Sequence, residues 1–307
     1  MEIVWLEDFM ALSETGHFSR AAERRNITQP AFSRRVRTLE EWVGTPLFNR
    51  YTHRIELTSA GEQFKPIAEE VIRLVYLGRE QARSAAQSAA ETLRFASTHV
   101  LSINFFPDWL RHIEEHAALE ATVSLVADNM AACERKILQG EAHFLLCHHH
   151  PAAATALEPR QFRWIDLGED VLVPVSVPEM KGGGEPRHAL PGTMEAPTSY
   201  VSYSPTSGMG RIVAATQAQD APPTWLTTVF TSHVATVLLA MARNGRGLAW
   251  LPLSLVQPFL QSGELVRAGE EKWDIPIIIR IFRPRLRQSP TVERFWSYLR
   301  EIYDTDK

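Results

Sequence analysis

Cysteine is scarce, bilayer-length apolar runs are absent, and the chain as a whole carries no net positive charge. Its 307 residues include only two cysteines, Cys133 and Cys147, which excludes a disulfide framework of any familiar pattern. No stretch is long and apolar enough to span a bilayer; IPIIIRIF is short and broken by Arg280. The opening MEIVWLEDFM has neither a basic start nor a long apolar core, so no export signal is expected there, and the expected address is the cytoplasm with no membrane partner. Nucleotide-binding loops, a G-x-S-x-G elbow and an H-E-x-x-H pair are missing, which argues against an enzyme; no cofactor is expected.

What is present is the balance of a soluble globular protein, 45% hydrophobic and 22% charged, with enough length for two or three domains. Net charge is −4, yet it is unevenly spread. Between Gly16 and Ala60 stand eight arginines (Arg20, Arg24, Arg25, Arg34, Arg35, Arg37, Arg50, Arg54) and four acids. A basic N-terminal domain on an acidic body suggests an anion-binding role for the former.

That domain reads as helices. Trp5, Phe9 and Leu12 recur at helical spacing, with Gly16 as a stop. Ser19 is placed to cap a short second helix, RAAERR, and Asn26 and Ile27 form a turn. Thr28 is the expected N-cap of a third helix, with Pro30 in its first turn, where the missing N–H matters little. Phe32, Val36, Leu39 and Val43 define one buried face, leaving Gln29, Ser33, Arg34 and Arg37 largely off it. This is a helix-turn-helix pattern, in which polar residues near the start of the third helix can reach base edges in a major groove. After Gly44, LF and RIEL read as short strands of a wing, carrying Arg50 and Arg54 toward phosphate.

Residues 18–61 closely resemble, without gaps, the N-terminal signature of LysR-type transcriptional regulators, in AAERRNITQPAFSRRVRTLE, G-x-PLF-x-R and LT-x-AG. The resemblance implies a winged helix-turn-helix that binds double-stranded promoter DNA as a dimer. It places Thr28, Gln29, Pro30, Ser33, Arg34 and Arg37 at the bases, with Arg50 and Arg54 on the wing.

From Ser59 to about Ala90 the composition turns to one long helix, in which Phe64, Ile67, Val71, Leu74 and Gly78 form a heptad-like seam that asks for a partner. The family resemblance makes it the linker through which two subunits pair; a homotetramer is implied by resemblance alone. From Glu91 strands and helices alternate. TLRFAST, ATVSLVAD and AHFLLC read as strands, with helices from near Ile103 and Met130, giving a mostly parallel sheet. FRWIDL and DVLVPVSV then lead into the flexible turn KGGG. A second α/β unit follows: SYVSYS, a helix from Met209, LTTVFTS, a helix from His233, and GLAWLP. IPIIIRIF returns to the first unit and VERFWSYLREI closes it. Two lobes joined by crossing strands resemble the periplasmic-binding-protein-like effector domain of the same family. The expected divisions are 1–58 for DNA binding, 59–90 for the linker and 91–307 for the effector domain. Within the last, one lobe covers about 91–167 and 270–307, the other about 168–269.

Ligands of open α/β sheets sit beyond the carboxyl ends of strands, near helix N-termini. Four segments qualify: Ser97-Thr98-His99, Cys147 through His150, Ser204 through Met209, and Thr231-Ser232-His233. In the family the first, third and fourth line the interlobe cleft, so Ser97, Thr98, His99, Ser204, Ser207, Met209, Thr231, Ser232 and His233 are the expected effector residues. CHHH is a tempting metal motif, but only His148 and His150 can share a face and no second Cys/His pair at ligand spacing accompanies it; no metal is expected. Cys147 is a candidate redox thiol, although a cysteine ending an apolar strand is ordinarily inert packing. Met209 stands in the polar, glycine-flanked YSPTSGMGR, where oxidation to the sulfoxide would change the packing.

YSPTSGMGR, GRGLAWLP and FLLCHHH are similar to the hypochlorite-responsive branch of the family, which implies oxidant sensing through Met209. Ile137 and Val234 occupy two other sensing positions of that branch, a departure that puts sensing by several methionines in doubt. The expected function is a LysR-type regulator whose cleft senses hypochlorite or a small ligand. The alternatives are a regulator answering to a metabolite, or a two-lobed solute-binding protein or enzyme.

Overall fold

The computed structural model describes residues 1–49, 55–86, 92–116, 121–180, 184–219 and 223–303. They pack as two units, Met1–Ser88 with Leu138–Glu141, and Ala89–Ile137 with Ala142–Lys307.

In the first unit α1 (Ile3–Thr15) ends where Gly16 adopts φ 65° and returns its N–H to the Leu12 carbonyl. Helix α2 (Phe18–Arg24) begins after His17 rather than Ser19. Phe18 joins it because its ring packs edge-on against Phe32, with centroids 6.1 Å apart, so Ser19 lies within the first turn and caps nothing. Asn26 (φ 54°) makes the turn, a conformation that asparagine tolerates better than most residues. Helix α3 (Gln29–Val43) starts after Thr28, whose backbone is extended but whose hydroxyl makes no capping bond. Phe32, Val36 and Leu39 are wholly buried in a core shared with Leu6, Phe9 and Leu12.

The wing strands β1 (Phe48–Asn49) and β2 (Glu56–Leu57) pair antiparallel. Glu40 of α3 anchors them by accepting the Leu47 and Phe48 N–H groups, at 2.9 and 3.1 Å. Helix α4 (Ser59–Ala86) follows, with the Thr58 hydroxyl accepting from the Gly61 N–H at 3.1 Å. A Cβ at Gly61 would stand 2.2 Å from the Leu47 carbonyl oxygen, so this position admits only glycine. The heptad-like seam divides in two. Phe64 and Val71 pack, with buried Ala68 and with Ile72, on the unit's own core, whereas Ile67 and Leu74 are exposed at 59% and 43%.

The second unit runs β3 (Thr92–Thr98), α5 (His99–Asn104), α6 (Phe106–His116), β4 (Thr122–Asp128), α7 (Met130–Leu138), β5 (Phe144–His149) and β6 (Phe162–Ser176). It continues with β7 (Thr198–Tyr203), α8 (Gly208–Gln219), β8 (Leu226–Ser232), α9 (Ala235–Arg243), β9 (Ala249–Pro252), α10 (Leu253–Gln261), β10 (Val266–Arg267), β11 (Ile275–Pro284) and α11 (Pro290–Tyr303). In one lobe β4, β3 and β5 are parallel, and β11 and β6 continue the sheet antiparallel. The three βαβαβ strands are thus parallel as expected, and the sheet as a whole is mixed because β11 runs against β5 on one side and β6 on the other. FRWIDL and DVLVPVSV are not separate strands but the single 15-residue β6, held continuous by pairing along the whole of β11. The other lobe joins parallel β7 and β8 to β9 and β10, which pair with the far end of β6. Helix α5 starts at His99 instead of near Ile103, and α9 at Ala235 instead of His233. Of KGGG, Lys181 through Gly183 lie outside the described residues.

Phe95 and Phe144 stack at 5.0 Å and Phe295 of α11 meets Phe95 edge-on at 5.7 Å, closing the first lobe's core. Each such fully buried ring contributes about 1.5–3 kcal/mol. Trp250 is buried too and satisfies its indole N–H on the Trp273 carbonyl at 3.0 Å.

Candidate DNA-reading surface and effector cleft

Helix α3 turns its apolar face inward and thereby fixes what faces out. Thr28, Gln29, Pro30, Arg34 and Arg37 are exposed and Ser33 is half-buried. Among the described residues the guanidinium groups of Arg34 and Arg37 have no carboxylate partner. Arg35 differs: it points back to Asp8, with 3.5 Å between Nη1 and Oδ2. Asp8 is wholly buried, and Arg25 at the end of α2 donates to it at 2.8 Å and to Glu7 at 2.5 Å. Although burial opposes it, pairing with these carboxylates raises the Arg25 pKa. This charged cluster, which periodicity does not reveal, ties α1, α2 and α3 together and sets the pose of the exposed face. Arg50 and Arg54 lie outside the described residues.

In the second unit, strands end and helices begin around one recess. It is open to solvent and is lined by Thr98, His99, Val100, Asp128, Asn129, Met130, His148, Ser207, Gly208, Met209, His233 and Ala235. Five of the expected residues thus meet: Thr98, His99, Ser207, Met209 and His233. Four do not line it. Ser97 is buried with its hydroxyl on the Thr98 carbonyl at 3.2 Å. Ser204 bonds Thr206 at 3.0 Å, Ser232 accepts the Val234 N–H at 3.1 Å, and Thr231 points out to solvent.

The lobes meet closely here. A Cβ on Gly208 would stand 3.3 Å from the Met130 side chain, and the Ala131 N–H reaches the Thr206 carbonyl at 3.4 Å. Met130 and Met209 are both almost buried in the wall. His99 and His233 face each other with ring centroids 5.6 Å apart. Asn129 caps α7 by accepting the Ala132 N–H at 3.0 Å. Asp128, Asn129 and Met130 line the recess without being among the expected effector residues, although the same rule, a strand end feeding a helix, applies to β4 and α7.

His148 is the other addition, and CHHH was its signal. Its ring is buried, both nitrogens lack a hydrogen-bond partner, and the hydroxyl of neighbouring Thr98 is equally unsatisfied. The nearest charge is Asp170, whose Oδ2 lies 4.0 Å from Nε2 and is itself engaged by the Ser254 hydroxyl at 2.5 Å. Burial holds the imidazole well below its ordinary pKa, against a smaller opposing pull from Asp170. A second recess shares Met130, His148 and Gly208 and adds Cys147, His149, His150 and Arg211. Cys147 itself is buried, and burial pushes its thiol far up, which disfavours the reactive thiolate. Away from CHHH, on α6, His112 and His116 stand one turn apart with Glu115 beside them. Helical spacing, rather than the short loop spacing of cysteine motifs, is what brings them together.

Comparisons with known proteins agree with this architecture. Residues 3–62 match the bacterial regulatory helix-turn-helix protein, lysR family, and residues 86–304 the LysR substrate binding domain. The chain is 30% identical over 302 residues to the HTH-type transcriptional regulator YjiE of Escherichia coli (strain K12), covering 98% of this chain and 95% of that one. The full-length structure of HypT from Salmonella typhimurium, a hypochlorite-specific LysR-type transcriptional regulator, superposes with a TM-score of 0.57 at 29% identity, covering 99% of both chains. Vibrio fischeri DarR in complex with DNA gives a TM-score of 0.54 at 30% identity, covering 97% of this chain and 98% of that one. Among the described residues no helix is long and apolar enough to cross a membrane. The chain belongs to the LysR family: it is a DNA-binding transcriptional regulator, not an enzyme, with a helix-turn-helix domain and a two-lobed effector-binding domain.

Proposed function

We propose that the chain binds promoter DNA as a homodimer paired through α4, assembled further into a homotetramer, in the cytoplasm, and that an oxidant acting in the interlobe recess changes that binding. Thr28, Gln29, Pro30, Ser33, Arg34 and Arg37 read the bases, with Arg50 and Arg54 on the phosphates. The exposed Ile67, Leu74 and Val75 of α4 support pairing, since an apolar stripe on a surface helix is stabilised by a partner.

The observation that carries the oxidant reading is Met209, nearly buried in the recess wall at the first turn of α8. Hypochlorite converts its thioether to a sulfoxide, a polar group that this apolar contact does not accommodate. The hypochlorite-specific HypT among the similar structures lends further support. A second reading rests on different atoms. Buried Thr98 Oγ1 and both His148 nitrogens lack partners, and Ile137 and Val234 replace two methionines of the hypochlorite branch; these favour a hydrogen-bonding metabolite.

Binding of the protein to its own upstream DNA, before and after mild hypochlorite and with Met209→Gln as a sulfoxide mimic, separates the two. A like shift in affinity or footprint from oxidant and substitution supports Met209 as the sensor. Unchanged binding in both rejects it and leaves the metabolite reading.

A further inference from the structure

Helix α6 carries a cluster that neither DNA reading nor the recess employs. His112, Glu115 and His116 are exposed, and one ligand atom from each lies within 4.8 Å of the other two. Positions i, i+3 and i+4 share one face of a helix, so the backbone itself gathers them. The two imidazole centroids are 4.6 Å apart. His116 Nδ1 lies 2.8 Å from the His112 carbonyl oxygen. A carbonyl only accepts, so Nδ1 is the donor, and in the neutral ring the lone pair falls on Nε2. A ring N–H held by a backbone carbonyl is the arrangement that orients a metal-ligating histidine. The neighbouring cation, Arg111, is turned to Asp108 at 3.0 Å.

We propose that this face of α6 binds one divalent transition-metal ion of the zinc, nickel and copper(II) class through His112, Glu115 and His116. Two imidazoles with one carboxylate suit these ions, whereas magnesium and calcium require oxygen ligands throughout. Zinc–nitrogen bonds of about 2.0–2.1 Å place tetrahedral ligand atoms roughly 3.4 Å apart, which exposed side chains reach by small rotamer changes. Three ligands leave a coordination position open to water, unlike a closed structural zinc site.

The test is titration of metal-free, full-length protein with Zn²⁺, and separately Cu²⁺ and Mg²⁺, against a chromophoric chelator. The expected result is one ion per chain that disappears in the His112→Gln/His116→Gln double variant and is weakened about tenfold in Glu115→Gln. Copper(II) should bind more tightly than zinc, and magnesium not at all. All three side chains are exposed, so circular dichroism should show the variants folded like wild type. A His149→Gln/His150→Gln variant should keep the ion. Absence of binding in wild type, full binding in the His112/His116 variant, or loss that follows His149 and His150 instead would each overturn the assignment.

Discussion

Arg211 of α8 donates from one guanidinium nitrogen to both carboxylate oxygens of Glu134 on α7, at 2.9 and 3.0 Å, and so ties one lobe to the other beside Met209. Glu134 is buried and also accepts from the Ala156 N–H at 3.0 Å and the Thr155 hydroxyl at 3.2 Å. The recess is thus held by a charged contact whose loss strands a desolvated carboxylate. Arg211→Met should lower the stability of the effector domain by about 2–3 kcal/mol, the range for losing charged hydrogen bonds at a buried group. Urea unfolding monitored through the buried tryptophans measures it. Wild-type stability would mean the contact contributes nothing.

Acid should weaken the same domain through its buried histidines. Burial, with Arg94 beside it, holds His143 down to about 3, and burial holds His148 well below its ordinary value. The unfolded chain therefore takes up protons below about pH 6.5 that the folded one refuses. Their stabilisation is complete above that pH and is lost as pH falls toward the folded values, at about 1.4 kcal/mol per pH unit for each histidine. Stability measured from pH 7 to 4.5 should show this slope, reduced by one proton in His148→Gln. An identical slope in that variant would remove His148 from the account.

The N-terminal core should depend on Asp8. It is wholly buried and receives Arg25 at 2.8 Å. Asp8→Ala should destabilise the helix-turn-helix by about 2 kcal/mol and lower DNA affinity without touching any residue on the exposed face. Calorimetry beside a binding curve checks both effects. Gly61→Ala should act in the same unit, through the clash with the Leu47 carbonyl, costing about 1–3 kcal/mol.

Much of this was legible beforehand because periodicity and strand-end rules act locally. The stripe of Phe32, Val36 and Leu39 and the glycine stop at Gly16 need only their own helix. The effector residues were half legible: Thr98, His99, Ser207, Met209 and His233 converge, but four neighbours do not. A strand end locates a backbone, whereas only tertiary packing decides which hydroxyl faces inward; Ser97 and Thr98 are adjacent on one strand and face opposite ways. Long-range charge was invisible. Arg25 with Asp8, and Arg211 with Glu134, join elements whose sequence gives no reason to pair them. The seam of α4 reads as one surface because a heptad does not say which of two partners each residue meets.

The proposed DNA reading requires α3 to hold Arg34 and its neighbours against base edges. The most direct measurement is the affinity of wild type and Arg34→Ala for the protein's own upstream duplex and for a scrambled duplex, across a salt series. Arg34→Ala should weaken specific binding by about 1–3 kcal/mol and narrow discrimination between the duplexes, while wild-type affinity should fall steeply with salt. Equal discrimination by both proteins would contradict it.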